Sequence, residues 1–286
     1  MIRLRHVLHP VRSIGSVYRR ASTYVHRRLA ERPFHGIRCG KRDACWCGGE
    51  LLPFKWHSSY GVCAKCGSYV NRYPPLRESL EQLYSIDLYW RTRQRLKGHP
   101  IIEDRAALYR SDGRLNQWLG LIEKYGPKTG RVIEVGCAPG VLLQELGKRG
   151  YECIGVEISD DVAEWIRQAS NLDIRAGFFP GVDLPPCNLF LAFDVLEHSP
   201  SPKDFIQEVH RILVPGGIAI IQTTIERYGY SPPFGQRFAD IFDDLEHLFL
   251  FTDNAIKTLA LETGLDVISL DERIWLAGEI AVLKKP

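Results

Sequence analysis

Two carboxylates and a glycine-containing turn stand at strand-like segments in the middle of the sequence. The stretch VIEVGCAPG places Glu134 two residues before Gly136, with Gly140 four residues further on. Glycine at the first position lets the backbone turn sharply out of a strand, and glycine at the second admits a ligand where a side chain would clash. The segment GVEIS places Glu157 twenty-one residues after Gly136. Because a carboxylate there can accept hydrogen bonds from both ribose hydroxyls, the pattern predicts a site for an adenosine nucleoside.

The spacing of this turn differs from that of a dinucleotide-binding site. The G-x-G-x-x-G phosphate fingerprint is missing, and the carboxylate of Glu134 would repel a pyrophosphate. The same carboxylate suits a ligand that carries a cationic sulfonium and an ammonium group. A nicotinamide-binding turn and a glycine turn in an unspecialised α/β domain are the alternatives, and the turn alone does not decide between them.

Cysteine is concentrated towards the N-terminal end, where five of the eight cysteines lie between residues 39 and 66. The sequence CAKCG has the two-residue spacing of a zinc knuckle, and Gly67 permits its tight turn. A second pair in CWCGG is separated by only one residue, so Cys39 is an alternative to the first cysteine of that pair. Four soft thiolates suit a tetrahedral, structural Zn²⁺ site. If the thiols were free instead, so short a lobe would have no bound metal to stabilise its fold. The predicted metal ligands are Cys45, Cys47, Cys63 and Cys66.

From about residue 112 onward, short apolar strands alternate with helical patterns. This alternation predicts an α/β fold in which a mostly parallel sheet is covered by helices on both faces. Ligands of such sheets bind at the carboxyl ends of the strands, so the chemistry is expected there. The predicted strands are 131–135, 151–157, 172–176, 188–193, 217–223, 265–271 and 275–283, and the predicted helices are 112–124, 139–149, 160–170, 202–213 and 252–263.

The sequence divides into four predicted segments, which are a basic amphipathic arm (1–36), a zinc-ribbon-like lobe (37–75), a helical connector (76–111) and an α/β domain (112–286). Residues 1–32 contain eight arginines and one glutamate, a net charge of +7. Since the whole chain carries +3, the remainder carries −4. A basic amphipathic helix can lie on an anionic membrane surface. A transit peptide and a helix that packs on protein share this composition.

Four motifs occur in order over about 170 residues: EVGCAPG, GVEIS, FDVLEHSP and RILVPGG. This set resembles the class I S-adenosylmethionine-dependent methyltransferases, in the branch that includes ubiquinone-pathway and sugar methyltransferases. The cysteine lobe resembles the zinc-ribbon leader of some bacterial sugar and glycan methyltransferases. The resemblance implies a Rossmann-like, seven-stranded sheet, S-adenosyl-L-methionine as the cofactor and a structural Zn²⁺ ion.

The resemblance also implies the cofactor contacts. The glycine turn would line the methionine side of the cofactor, with the first carboxylate near its amino group and the second on the ribose. The strand end in FDVLEHSP would pass beneath the sulfonium. Where the family often has an acidic residue for the adenine amine, this chain has Phe178, so ring packing and a backbone group would hold the adenine. The expected cofactor-binding residues are Glu134, Gly136, Cys137, Ala138, Gly140, Glu157, Ile158, Phe178, Asp194 and Val195.

Two histidines are candidates for the general base that removes a proton from an acceptor hydroxyl. His198 follows the strand that ends in FDV, and His247 lies in DDLEHLFLFT, a stretch that in this branch borders the acceptor site. A structural histidine bonded to the backbone is the alternative for each. The acidic residues before His247 form either part of the site or a solvated acidic helix face.

The expected activity is O- or C-methylation of a sugar, glycan or lipid-linked intermediate. Alternatives are methylation of a quinol-like lipid or of RNA, and a non-catalytic relative that only binds the cofactor. The net negative charge of residues 33–286 argues against a nucleic-acid partner. Clustered cysteines and the lack of a secretory leader predict a cytoplasmic protein, peripheral at the membrane if the arm of residues 1–32 binds there.

Overall fold

The computed structural model describes residues 34–226, 241–274 and 278–286. The chain forms two compact units, Met1–Gly36 and Ile37–Pro286. The predicted amphipathic helix in residues 1–32 lies outside the described residues. Within the described part of the chain, no helix is long and apolar enough to cross a membrane.

The first half of the second unit contains three short strands and a run of helices. In chain order they are β1 (Leu51–Pro53), β2 (Tyr60–Cys63), β3 (Tyr69–Asn71), α1 (Arg77–Leu83), a π-helical segment (Ile86–Arg93), α2 (Gln94–Leu96) and α3 (Ile102–Ser111). The predicted helical connector is therefore helical, in several separate pieces.

Strands and helices alternate in the second half of this unit, as the sequence predicts. The helices are α4 (Arg114–Tyr125), α5 (Val141–Lys148), α6 (Asp160–Ala169), α7 (Pro202–Ile212) and α8 (Asp253–Thr263), with a single 3₁₀ turn at Leu196–His198. The strands are β4 (Gly130–Val135), β5 (Tyr151–Glu157), β6 (Asp173–Ala176), β7 (Cys187–Phe193), β8 (Leu213–Thr223), β9 (Ile225–Glu226), β10 (Phe249–Thr252), β11 (Asp266–Ile274) and β12 (Gly278–Lys284).

Seven of these strands form the main sheet, in the order β11-β12-β8-β7-β4-β5-β6. The pairs among β6, β5, β4, β7 and β8 are parallel, whereas β12 runs antiparallel to both β8 and β11. The predicted α/β, Rossmann-like, mostly parallel seven-stranded sheet is confirmed. The strand order changes direction at β4, so the cleft at a topological switch point opens at the carboxyl ends of β4 and β7.

Successive residues of the central strands point to opposite faces of the sheet, and both faces are apolar. Val132 and Leu189 belong to one core, and their neighbours Ile133 and Phe190 belong to the other. Side chains of α4, α5 and α6 cover the first core, and those of α7 and α8 cover the second. This double burial explains why the strands read as short, nearly continuous apolar runs instead of alternating ones.

A second sheet joins the cysteine-rich lobe to residues near the C-terminal end of the chain. Its five strands have the order β1-β2-β3-β10-β9. Val70 of β3 pairs with Phe249 of β10 in antiparallel register, and Phe251 of β10 pairs with Ile225 of β9 in parallel register. The sheet thus contains residues from both sides of the predicted boundary at residue 75.

Local signals explain where the helix after β10 begins and ends. Thr252 caps the N-terminus of α8, because its Oγ1 accepts a hydrogen bond from the amide of Ala255 at 3.1 Å. The same Thr252 hydroxyl donates to the carbonyl oxygen of Cys66 at 2.7 Å. Gly264 ends the helix with φ +79°, a left-handed conformation that glycine adopts without steric cost. The cap of α8 is therefore also a contact with the cysteine-rich lobe.

Candidate cofactor and acceptor site

A cavity of about 1130 Å³ opens at the carboxyl ends of the central strands. Gly136 follows β4, Glu157 ends β5 and Asp194 follows β7, and all three line this cavity. Ile158, Phe178 and the two candidate histidines line it too, so the structure brings residues from distant parts of the sequence together as the parallel sheet predicts. Much of the remaining wall comes from the connector, residues 80–109, and the rest from residues of the sheet and of the C-terminal part of the chain.

Gly136 turns the chain away from β4 at φ +70°. Its amide donates to the carbonyl of Val156 at 2.8 Å, which fixes the turn against β5. A Cβ atom at position 136 would lie 2.6 Å from Cγ2 of Val195. Glycine is therefore required here by both the backbone conformation and the close approach of a cavity-lining side chain.

Gly140 has a different steric role from the one that the sequence suggests. It precedes α5 with φ +84°, and a Cβ atom there would lie 2.8 Å from Cγ2 of Ile166 in α6. Gly140 lines neither the large cavity nor the smaller one beneath the glycine turn. Its missing side chain therefore admits a neighbouring helix, and its assignment to the cofactor site stays a prediction.

Glu134 lies beneath the glycine turn, beside this second, small cavity of about 30 Å³ that Cys137, Ala138 and Asp194 also line. The carboxylate is buried, and its Oε2 has no hydrogen-bond partner among the described residues. Burial raises the pKa of Glu134 well above its usual range, and the nearby Glu157 carboxylate adds to the rise. An orphaned buried carboxylate is costly unless a donor reaches it. An ammonium group in this small cavity would supply that donor.

Glu157 is the second buried carboxylate of the cavity. Its Oε1 accepts a hydrogen bond from the Ala138 amide at 2.6 Å, so it also holds the glycine turn in place. Burial raises the pKa of Glu157 to about 7, against the opposing effect of hydrogen bonds from the Ala138 and Ile158 amides. The other carboxylate lone pairs stay available for ligand hydroxyls.

Asp194 adopts a left-handed backbone conformation, with φ +57°. Among the described residues it is the only non-glycine residue with a positive φ, and such strain is typical of functional positions. Gln222 donates to Oδ1 of Asp194 at 2.5 Å, and Trp118 donates to the amide oxygen of Gln222 at 3.2 Å. This chain of bonds fixes the aspartate at the strand end, next to Val195.

His198 and His247 lie side by side in the cavity wall, with ring centroids 5.1 Å apart. Nδ1 of His198 contacts the carbonyl oxygen of Glu246 at 2.6 Å, and Nδ1 of His247 contacts that of Ile241 at 2.5 Å. A carbonyl oxygen only accepts, so each Nδ1 carries a proton, and in a neutral ring Nε2 is left as an acceptor. Burial, together with the neighbouring His247, lowers the pKa of His198 to about 4, so this ring is neutral at pH 7.

The residues before His247 do not form a solvated acidic face. Asp243 accepts hydrogen bonds from Nη2 of Arg93 at 2.6 and 2.7 Å, and Lys97 lies 2.8 Å from carboxylate oxygens of both Asp243 and Glu246. Arg93 also contacts Glu246 through its Nε. Glu246 is 5% exposed, so this ion-pair cluster is largely withdrawn from solvent. It ties the connector to the stretch of residues 241–252, which we call the acceptor segment.

The cysteine-rich lobe also contacts the acceptor segment, in addition to the contacts that the connector makes with it. The hydroxyl of Tyr60, a residue only 1% exposed, lies 2.6 Å from the carbonyl oxygen of His247 and 3.0 Å from that of Asp243. The side-chain amide of Asn71 donates to the carbonyl oxygen of Asp244 at 2.8 Å. With the β3–β10 pairing, these bonds make the lobe a direct support for His247.

Four cysteines of the lobe form one cluster, whose sulfur atoms all lie within 4.8 Å of one another: Cys45, Cys47, Cys63 and Cys66. The Cys45–Cys66 and Cys47–Cys63 sulfur pairs are 3.7 and 3.4 Å apart. A tetrahedral site with Zn–S bonds near 2.3 Å has sulfur–sulfur edges of about 3.8 Å, so the cluster could hold zinc. Cys39 is exposed and outside the cluster, so Cys45 is the fourth member.

Backbone geometry prepares this cluster for a metal ion. The amides of Lys65 and Cys66 both donate to Sγ of Cys63 at 3.4 Å, so the main chain holds this sulfur in place. The hydrogen bond with Cys45 lowers the pKa of the Cys66 thiol to about 5. Gly67 turns the knuckle at φ +78°, and a Cβ at Gly49 would lie 2.4 Å from the Cys63 sulfur. The chain around the cluster thus leaves room for four thiolates and little else.

A family model described as a methyltransferase domain matches residues 105–270. The chain belongs to this methyltransferase family. It is an S-adenosylmethionine-dependent methyltransferase, and the family implies this cofactor for the cavity. The predicted enzyme class is confirmed, whereas the roles of the cofactor-binding and base residues remain predictions.

Relatives of this methyltransferase differ in the acceptor that their names give. It is 25% identical over 176 residues to a ubiquinone biosynthesis O-methyltransferase of Psychrobacter arcticus, covering 53% of this chain and 68% of the relative. It is 28% identical over 186 residues to a tRNA U34 carboxymethyltransferase of Vibrio cholerae, covering 60% and 55%. The structure of an amino pentose methyltransferase from Micromonospora echinaspora superposes with TM-score 0.50 at 15% identity, covering 63% of this chain and 95% of that one. That likeness shows the shared fold.

The connector supplies cavity residues that motif reasoning missed. Its segments between α1 and α3 contribute aromatic and polar side chains, and none belongs to a methyltransferase motif. A signal is present in the sequence, since aromatic and basic residues are interleaved over residues 84–114. The connector residues that line the cavity are Leu80, Tyr84, Tyr89, Trp90, Gln94, Lys97, His99, Pro100, Arg105, Leu108 and Tyr109.

Proposed function

We propose that this methyltransferase acts on a hydroxyl or carbon of a sugar, glycan or lipid-linked intermediate, with His247 as the general base. The observation that carries the base assignment is the histidine pair. Both rings present Nε2 as an acceptor because both Nδ1 atoms are bonded to main-chain carbonyls. For a hydroxyl acceptor, its proton would pass to Nε2 of His247 as the acceptor oxygen bonds to the methyl carbon and the bond from that carbon to the sulfonium sulfur breaks.

The bound cofactor supplies an activated methyl group on a positive sulfonium, so the protein's main task is to position the acceptor. Glu134 fits the cofactor's ammonium, because its buried Oε2 needs a donor. Glu157 fits the ribose, because it faces the large cavity with one oxygen already held by Ala138. Asp194 and Val195 would then lie beneath the sulfonium, beside His198 in the same wall.

The connector wall of the cavity supports this acceptor class. It combines the aromatic rings of Tyr84, Tyr89 and Trp90 with the polar side chains of Gln94 and Lys97. Rings beside hydrogen-bonding groups suit a sugar, which has both apolar ring faces and hydroxyls. A polyprenyl-substituted quinol would instead need a continuous apolar wall. This lining favours a glycan head group over a quinol-like lipid.

We also propose that the four-cysteine cluster holds a structural Zn²⁺ ion. Four protein thiolates leave no open coordination position, so the ion has no direct part in methyl transfer. Its role is to stabilise the lobe whose residues Tyr60 and Asn71 bond the acceptor segment.

The experiment supplies purified protein with methyl-labelled S-adenosylmethionine and three acceptor pools: cell-envelope glycans with their lipid-linked intermediates, catechol-type quinol precursors, and bulk RNA. We expect label in the glycan pool. For a hydroxyl acceptor, His247→Gln should lower kcat by about 100-fold or more while the Kd for S-adenosylhomocysteine stays unchanged. His210→Gln, whose ring lies outside the cavity, is the matched control.

Label confined to the quinol or RNA pool would refute the glycan assignment. Cofactor binding with no transfer to any pool would refute the glycan assignment as well, because the acceptor would then lie outside all three pools. A kcat for His247→Gln within twofold of the wild-type value would remove His247 from the mechanism, whatever the acceptor.

A further inference from the structure

One cavity arginine has an unusual environment. Arg105, in the middle of α3, lines the large cavity and is only 9% exposed. Its Nη2 donates to Oε1 of Gln94 at 2.5 Å, and its Nε is buried without a hydrogen-bond partner. None of the ion pairs found among the described residues includes Arg105. A buried guanidinium is thus left with a single neutral acceptor.

The other cavity cations are compensated. Lys97 lies 2.8 Å from carboxylate oxygens of both Asp243 and Glu246, Arg114 lies 3.6 Å from the carboxylate of Asp112, and Arg273 lies 2.7 Å from that of Glu279. Within the part of the chain that the structure describes, Arg105 differs from these side chains in making no ion pair with a carboxylate. The buried Asp194 carboxylate interacts with it electrostatically but accepts its hydrogen bond from Gln222. Burying a charge without a counter-ion destabilises a protein, which makes a ligand anion the natural complement.

The surroundings of Arg105 show what such a ligand looks like. The guanidinium carbon lies 5.5 Å from the ring centre of Trp90 and 5.8 Å from that of Tyr109, so two aromatic rings restrict its orientation. A planar guanidinium held in this way matches carboxylate and phosphate oxygens, to which arginine donates in pairs. In a ring-shaped acceptor with an anionic group, the anion would pair with the guanidinium and the ring would contact the aromatic faces.

Arg105 lies near the proposed amino-acid end of the cofactor site but does not line it. The small cavity beside Glu134 is lined by the glycine turn together with Tyr109 and Trp118, and Arg105 is absent from its lining. Arg105 instead faces the large cavity along with Gln94 and the rest of the connector wall. That wall is the one to which the proposed function assigns the acceptor.

We propose that Arg105 is the anion-binding residue of the acceptor compartment, and that the acceptor carries a carboxylate or phosphate group. This inference rests on the proposed function and narrows it to acidic acceptors, such as a uronic acid or a sugar phosphate. Arg105 fixes the acceptor's anionic group, which positions the hydroxyl or carbon to be methylated near the cofactor.

The test uses the full chain saturated with S-adenosylhomocysteine and titrated with glucuronate, glucose 6-phosphate or neutral glucose, with calorimetry and tryptophan fluorescence as readouts. We expect an anionic probe to bind and glucose not to bind. Arg105→Met should weaken binding of the anion at least tenfold. The anion affinity of Arg105→Lys should lie between those of the wild type and Arg105→Met. Arg110→Met removes an exposed arginine of the same helix, bonded to Gln144, and should behave as wild type.

Stability gives an independent readout. Because Arg105 makes no ion pair in the free protein, the melting temperature of Arg105→Met without an anion should equal or exceed that of the wild type. A lower melting temperature, with unchanged anion binding, would show a structural arginine and overturn the proposal.

Two further results would overturn it. The first is failure of the wild type to bind either anion. The second is a tenfold loss of S-adenosylhomocysteine affinity in Arg105→Met with unchanged affinity for 5′-methylthioadenosine, which lacks the amino-acid moiety. That pattern would place the cofactor's own carboxylate on Arg105. His247-dependent methylation of neutral glycans alone would refute this inference and leave the proposed function intact, whereas a wild type that binds no cofactor would refute both.

Discussion

Replacing Gly136 by alanine tests whether the turn after β4 is shaped by the side chain opposite it. The new Cβ would lie 2.6 Å from Cγ2 of Val195, at a residue whose φ is +70°. Two costs therefore combine: the left-handed conformation of a residue with a Cβ, and an overlap that the turn or Val195 must relieve by moving. Both residues line the cavity, so either movement changes the cofactor site.

A second glycine separates the conformational cost of the substitution from its steric cost. Gly150 has φ +88°, but a Cβ there would meet nothing within 4 Å. Gly150→Ala should therefore lower the free energy of unfolding by the conformational cost alone, about 1–2 kcal/mol. Gly136→Ala adds an overpacking cost of about 1–3 kcal/mol, for a total of about 2–5 kcal/mol.

Urea unfolding and calorimetric titration with S-adenosylhomocysteine measure the two effects. Gly136→Ala should weaken binding at least tenfold, about 1.4 kcal/mol, whereas Gly150→Ala should leave the Kd unchanged. Adding Val195→Ala to Gly136→Ala removes the overlapping methyl group and should restore part of both the stability and the affinity. If Gly136→Ala and Gly150→Ala have equal stabilities and wild-type affinities, the steric account of this turn is wrong.

Three other predictions concern the carboxylate, the metal and the lobe. Because burial raises the pKa of Glu157 to about 7, its carboxylate gains charge as the pH rises through that value. Affinity for S-adenosylhomocysteine should therefore increase from pH 6 to 8, and Glu157→Gln should weaken it by about 1–3 kcal/mol and remove the pH dependence. Cys63→Ser should release one zinc ion per chain in elemental analysis and speed hydrogen exchange in the acceptor segment, whereas Cys153→Ser should do neither. Tyr60→Phe should lower the free energy of unfolding by about 1–3 kcal/mol, because a buried carbonyl loses its partner; the exposed Tyr73, changed to Phe, should have no measurable effect.

The main sheet was predictable because its signals are local. A strand buried on both faces reads as a short apolar run, and the strand from 151 to 157 has the bounds that the sequence predicts. The other six strands and the helices begin within a few residues of the predicted positions. The four clustered cysteines were predictable for the same reason, since two short spacings specify the pairs.

Contacts between distant segments were not predictable from these signals. Asp243 is 150 positions from Arg93, so nothing near Asp243 in the sequence distinguishes a buried ion pair from a solvated acidic surface. The steric role of Gly140 depends on Ile166 in another helix. The place of Arg105 in the cavity depends on how the connector folds over the sheet. Each of these features is set by tertiary packing, about which hydrophobic periodicity and motif spacing carry no information.

The pairing of β3 with β10 has a consequence for how the chain is made. Val70 meets Phe249, so ribosomes must add 179 further residues before the partner strand exists, roughly 10–35 s at ordinary elongation rates. Until then β3 is an open strand edge, which invites pairing with other nascent chains. All four cluster cysteines lie between residues 45 and 66, so a metal ion can fasten the lobe during this wait. If the proposed Zn²⁺ ion binds at this stage, zinc supply during translation would affect how much protein aggregates, a quantity distinct from the stability of the finished enzyme.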